Sequence, residues 1–197
     1  MWRLDEDVPQ LMALCREQGI RCEDLTGLPP KRQRERAIES LLLNHALERS
    51  VVLSRTAQGA PLIEGESMNV SITHTSNLVA IALNKSAVIG VDAEQMDRRQ
   101  VLRVRDKFLN AKEKQFIAPD DLAVHIIAWT AKEAIIKAER NSALDWTEGI
   151  CLEPFAVESN GFTFAASCEG KRYSLTTRCA EGHYLTLALP LAGDCQG

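Results

Sequence analysis

The chain has no uninterrupted apolar stretch near the roughly 20 residues of a membrane span. Its opening, Met1-Trp-Arg-Leu-Asp-Glu-Asp-Val-Pro, puts acids where an export signal needs a basic start and an apolar run. A cytoplasmic protein away from membranes is therefore expected. No two of the six cysteines, at 15, 22, 151, 168, 179 and 195, form the CxxC pair of the usual zinc or redox site. They read as reduced thiols that fill space or lie incidentally at the surface. There is no excess of positive charge: 23 Lys plus Arg stand against 27 Asp plus Glu, a net charge of -4 that argues against a surface made to grip nucleic acid. Glycine and proline, 11 and 7 in number, are too few for a collagen-like or low-complexity chain. With 197 residues, 45% of them hydrophobic, the composition fits one domain or two small halves sharing a core.

Hydrophobic periodicity marks two long helices. Pro29-Pro30 precedes a segment from about Lys31 to Glu48 with Ile38, Leu41, Leu42 and Leu47 at helical spacing. The second runs from Val124 to Arg140, with Asn141-Ser142 as its stop. Strands are expected at Val51-Val52-Leu53, within Asn69 to Leu83 as either a hairpin pair or a strand and a turn, at Ala87 to Asp92, and in the alternating C-terminal segments around Phe162, Tyr173 and Tyr184. Asn77-Leu-Val-Ala-Ile-Ala-Leu83 can be laid on His183-Tyr-Leu-Thr-Leu-Ala-Leu189, and each follows a helix and strands. The expected fold is α+β in two pseudo-symmetric halves, 1–86 and 87–197, each a main helix on a small antiparallel sheet.

Several residues suggest chemistry. Asp92 and Glu94 lie two apart on a strand, so both carboxylates point to one side as half of a hard-cation site, or else are solvated turn residues. Glu133 and Lys137 share a helix face, either as a stabilising i,i+4 pair or, with Trp129 and Lys132 nearby, as buried charges needing a partner. His74 sits among the Thr73, Thr75 and Ser76 hydroxyls, a donor set that suits a phosphate as well as a structural histidine. Seven basic residues and two acids between Arg98 and Lys114 give that segment a balance of +5. It is either a solvated helix or, with Phe108, Leu109 and Phe116, a docking surface for an acidic partner.

Gly90-Val-Asp92-Ala-Glu94, followed some forty residues later by Trp129-Thr-Ala-Lys132-Glu133-Ala-Ile-Ile-Lys137, resembles the paired signature of the 4′-phosphopantetheinyl transferases. Length and internal repeat resemble the surfactin-synthetase-activator type, a monomer of two similar halves with its active site in the cleft between them. The resemblance implies transfer of the phosphopantetheine arm of coenzyme A to a serine of an acyl or peptidyl carrier protein, with release of 3′,5′-ADP. It implies Mg²⁺, with Mn²⁺ as a substitute, held by Asp92, Glu94 and Glu133. His74, Thr73, Lys132 and Lys137 are then the coenzyme A contacts, Lys137 also serves catalysis, and either Glu133 or a metal-bound water is the general base. Many relatives read Gly-Lys-Pro where this chain has Gly59-Ala60-Pro61, and Lys31, Arg32 and Arg36 either replace that lysine at the 3′-phosphate or are a solvated helix start. The alternatives are a non-catalytic coenzyme A or carrier-binding module of the same fold and a Mg²⁺-dependent nuclease, although the acid-x-lysine spacing usual in nucleases is absent around Glu133.

Overall fold

Proline has no N–H to lose at the first position of a helix, and Pro30 opens α2 (Pro30–Leu47), which ends where Glu48 takes the left-handed conformation at φ 53°. The computed structural model that shows this describes residues 1–22 and 25–191; Cys195 lies outside the described residues. The chain divides into two units, Met1–Ser86 and Ala87–Gly197.

In the first unit, β1 (Trp2–Arg3), β4 (Asn69–His74) and β5 (Leu78–Asn84) form an antiparallel sheet ordered β1-β5-β4, and β2 (Leu53–Arg55) pairs with β3 (Pro61–Ile63). α2 packs on this sheet through Ile38, Leu41 and their neighbours. Asn44 ties the end of α2 to the next segment by accepting from the Val51 N–H at 2.9 Å and donating to its carbonyl at 3.1 Å. Ahead of α2 stands α1 (Val8–Glu17), which the periodicity reading did not mark. Asp7 and Gln10 cap each other across its first turn, and α1 packs on α2.

In the second unit, β6 (Gly90–Gln95), β7 (Ile150–Leu152), β8 (Phe162–Cys168), β9 (Lys171–Ala180) and β10 (His183–Pro190) form one antiparallel sheet ordered β6-β10-β9-β8-β7. α5 (Leu122–Glu139) lies on it. Asp121 caps its first turn by accepting from the Val124 N–H at 3.0 Å, and Arg140, left-handed at φ 53°, ends it before Asn141. Between β6 and α5 run α3 (Gln100–Val104), a 3-10 turn (Arg105–Lys107) and α4 (Glu113–Phe116). The basic segment, for which one solvated helix was one of two alternatives, is three short turns. Phe108 and Leu109, read as docking contacts, belong instead to the core, both buried beside Ile126 and Ile127. Each unit is α+β, with one 18-residue helix on an antiparallel sheet. No helix among the described residues is long and apolar enough to cross a membrane.

Candidate active site

β6 and α5 approach each other where glycine removes a side chain. A Cβ on Gly90 would lie 1.7 Å from the Ala134 carbonyl oxygen and 2.9 Å from the Ala138 nitrogen. Gly90 therefore faces α5, and by the two-residue period of a strand so do Asp92 and Glu94. Both acids lie inside β6, not beyond its end, and are 8% and 7% exposed. Across the ladder, Asp92 is paired with Thr186 of β10. Thr186 shares hydrogen bonds with Thr130 of α5 at 2.8 Å and with Thr177 of β9 at 2.9 Å, so the threonine of the helix motif joins helix to sheet.

The charges on this face are mutually engaged. Lys137 donates to Asp92 Oδ1 at 2.8 Å and to the Val91 carbonyl at 3.0 Å. Lys137 thus makes a helix-to-strand ion pair, where the simpler alternative was an i,i+4 pair with Glu133 on the helix surface. Arg98 pairs with Glu94. Glu133 is half-buried on the same helix, and its pKa is raised above the ordinary carboxylate range by burial first and by the Asp92 carboxylate second, against the opposing pull of Lys137 and Arg98. Asp92, Glu94, Glu133 and Lys137 thus form one electrostatic neighbourhood. Carboxylates are the hard oxygen donors that Mg²⁺ takes. The donor chemistry fits the ion. Among the described residues no three metal-ligating groups converge; Asp92 pairs with Lys137 and Glu94 with Arg98.

Lys132 is placed elsewhere. Its ammonium, 0% exposed, donates to Glu113 Oε2 at 2.8 Å and to the carbonyls of Phe108, Trp146 and Ile150 at 2.7, 2.7 and 3.0 Å. Three N–H bonds face four oxygens, which leaves no donor for a phosphate, and the expectation that Lys132 contacts coenzyme A gives way to a structural role. Burial pushes its pKa down and Glu113 opposes that shift. Glu113 is itself fully buried, and its other oxygen accepts from the Leu152 N–H at 2.8 Å. This partner was not legible in the sequence: it stands nineteen positions before Lys132 in an otherwise basic segment. Trp129 lies near Phe108 and Trp146, with ring centroids 5.3 and 4.8 Å away, beside a cavity of about 470 Å³ that Arg98, Val101 and Val104 also line.

In the first unit, His74 Nε2 lies 2.5 Å from Glu39 Oε1 on α2. Arg36 reaches Glu39 at 3.3 Å and Arg55 pairs with it as well, so one carboxylate, 1% exposed, gathers three nitrogen side chains. Thr73 is buried on β4, while Thr75 Oγ1 accepts from the Leu78 N–H at 3.1 Å and so belongs to the turn between β4 and β5. Lys31 and Arg32 both pair with Glu35, at 3.8 and 2.9 Å. Glu39 is a second residue that the sequence reading missed, since nothing in a helix pattern announces a buried acid.

No curated protein matches the chain. A family model does, over residues 88–188, which is just over half of the 197 residues and takes in β6, α5 and most of the sheet they pack with. With Gly90, Asp92, Glu133 and Lys137 meeting inside that span, the chain belongs to the 4′-phosphopantetheinyl transferase superfamily.

Proposed function

We propose that this protein transfers the 4′-phosphopantetheine arm of coenzyme A to a serine hydroxyl of an apo acyl or peptidyl carrier protein, releasing 3′,5′-ADP. On this reading it is of the surfactin-synthetase-activator type and works as a monomer in the cytoplasm. The observation that carries the reading is the ion pair of Asp92 on β6 with Lys137 on α5, beside Glu133, whose carboxyl feels the Asp92 charge. The reaction is attack of an oxygen on phosphorus, and its needs are charge neutralisation, positioning and removal of one proton.

Asp92, Glu94 and Glu133 would hold Mg²⁺, or Mn²⁺ in its place, which when bound neutralises charge on the pyrophosphate. Lys137 is 29% exposed at its side chain, so its ammonium can leave Asp92 for a phosphate oxygen. Glu133 is the proposed acceptor for the serine proton. His74 and Thr73 remain the proposed coenzyme A contacts of the first unit. Lys132 supports Glu133 and Lys137 indirectly, by fixing α5 against the segment that carries Glu113.

Arg103, Lys107 and Lys112 are exposed and present positive charge to an acidic carrier. A binding module of the same fold would bind coenzyme A without releasing 3′,5′-ADP. Replacing Asp92 with Ala tests the assignment: release of 3′,5′-ADP from coenzyme A in the presence of apo carrier and Mg²⁺ is expected to vanish while the variant keeps its circular dichroism. Wild-type release by that variant at limiting Mg²⁺ would remove Asp92 from the site.

A further inference from the structure

The sequence reading treated the six cysteines as scattered thiols, yet the fold brings two of them together. Cys15 lies in the last turn of α1 and is 1% exposed. After Gln18 the chain reverses at Gly19, whose φ of +65° a residue with a Cβ adopts only under strain. The Gly19 N–H donates to the Arg16 carbonyl at 3.1 Å and the Ile20 N–H to the Cys15 carbonyl at 2.8 Å. This pair of bonds is the Schellman ending of a helix, and it folds the following residues back along the turn they have just left. Cys22 is thereby carried onto Cys15, and its thiol donates to Cys15 Sγ across 3.1 Å.

We propose that Cys15 and Cys22 are a redox modification site, closing to an intramolecular disulfide when the protein meets a small-molecule disulfide such as glutathione disulfide. The two thiols are unequal. Cys22 is half-buried and reachable from solvent. Cys15 is buried, and its pKa is pushed up by the Cys22 contact and by burial. Attack therefore begins at Cys22: its thiolate displaces one glutathione thiolate and forms a mixed disulfide. Cys15 then gives up its proton and attacks Cys22 Sγ, releasing the second glutathione. Two protein thiols and one disulfide become one protein disulfide and two glutathione thiols. The cross-link would tie the segment after α1 to a helix that packs on α2, the helix carrying Glu39 beside His74. Cys168, by contrast, is buried with its pKa raised to about 11 by burial first and by nearby Glu139 and Glu169, and it offers no such entry.

Trypsin cuts after Arg16 and Arg21, between the two cysteines, so the linked state is read directly by mass spectrometry. Native protein equilibrated with glutathione disulfide is expected to yield one disulfide-linked pair of peptides, residues 4–16 and 22–31, and to lose that link on treatment with dithiothreitol. The exposed Cys179 is expected to carry a glutathionyl group instead. In Cys22→Ser the linked pair disappears and Cys15 stays reduced. In Cys15→Ala, if it folds, Cys22 accumulates as the glutathione adduct. A wild-type protein whose Cys22 stops at the glutathione adduct, or whose peptides link only in urea, overturns the proposal.

Discussion

Single residues divide by what their charges touch. Lys132 and Lys137 lie five positions apart on α5 and belong to one sequence motif, yet one is sealed among four oxygens and the other sits at the edge of the acid cluster. Removing a buried cation leaves its partner charged and unpaired, at a cost of about 3–5 kcal/mol. Lys132→Met is therefore expected to destabilise the protein by that amount in denaturant titration. Lys137→Ala takes an ion-pair partner from buried Asp92, so it is expected to cost some stability, though less than Lys132→Met because Lys137 is partly exposed. It is also expected to weaken coenzyme A, because charge-assisted bonds to phosphate contribute about 1.5–3 kcal/mol, or roughly one to two powers of ten in affinity. Calorimetric titration reads the second effect, and wild-type affinity in Lys137→Ala would exclude it from the phosphate contacts. Glu133 gives a pH signature. Its folded pKa is raised, so in metal-free protein the native state holds the proton more tightly than the unfolded chain, and stability falls as pH rises from the ordinary carboxylate range through the native value. Glu133→Gln is expected to melt above wild type near neutral pH, with the difference closing in acid. Identical melting curves at every pH would contradict the assignment.

At the scale of elements, the site depends on how closely β6 meets α5, and Gly90 sets that distance. A Cβ there would collide with backbone, which cannot swing aside as a flexible side chain does. Gly90→Ala is expected to cost at the upper end of the roughly 1–3 kcal/mol of an overpacked core and to depress transfer together with stability. A variant that folds normally with full activity would show that the approach is not needed. Much of this geometry was legible in advance. Two acids two apart on a strand, and two charges four apart on a helix, share faces by local periodicity, and the long helices were placed within two residues of their observed ends. What periodicity cannot supply is a partner far away in sequence. Glu113, Glu39 and the burial of Phe108 and Leu109 depend on tertiary packing, so a lysine with a structural duty was read as a ligand. The missed helix α1 had a local signal, Asp7 with Gln10 three residues later, but its short apolar face was weak against the longer helices.

Across the whole molecule, a net charge of -4 coexists with the basic stretch between Arg98 and Lys114, and that asymmetry is what a carrier of acidic surface would sense. Charge reversal at Arg103 and Lys107, both exposed, is expected to raise the KM for carrier several-fold and leave the KM for coenzyme A unchanged. Arg105 is a poorer choice for this test, since it donates to the Pro119 carbonyl at 2.8 Å and holds the local fold. Added salt is expected to mimic the reversal, because exposed charges are screened beyond about 10 Å at 0.1 M ionic strength. A carrier KM insensitive to both changes would move docking to another surface. The central claim, group transfer to a carrier serine, is tested most directly by intact mass. An apo acyl or peptidyl carrier protein incubated with this chain, coenzyme A and Mg²⁺ is expected to gain the mass of one phosphopantetheine arm, and a carrier with alanine in place of that serine is expected to gain none. An unmodified carrier under conditions in which coenzyme A binds the chain would contradict the account and leave a binding protein of the same fold.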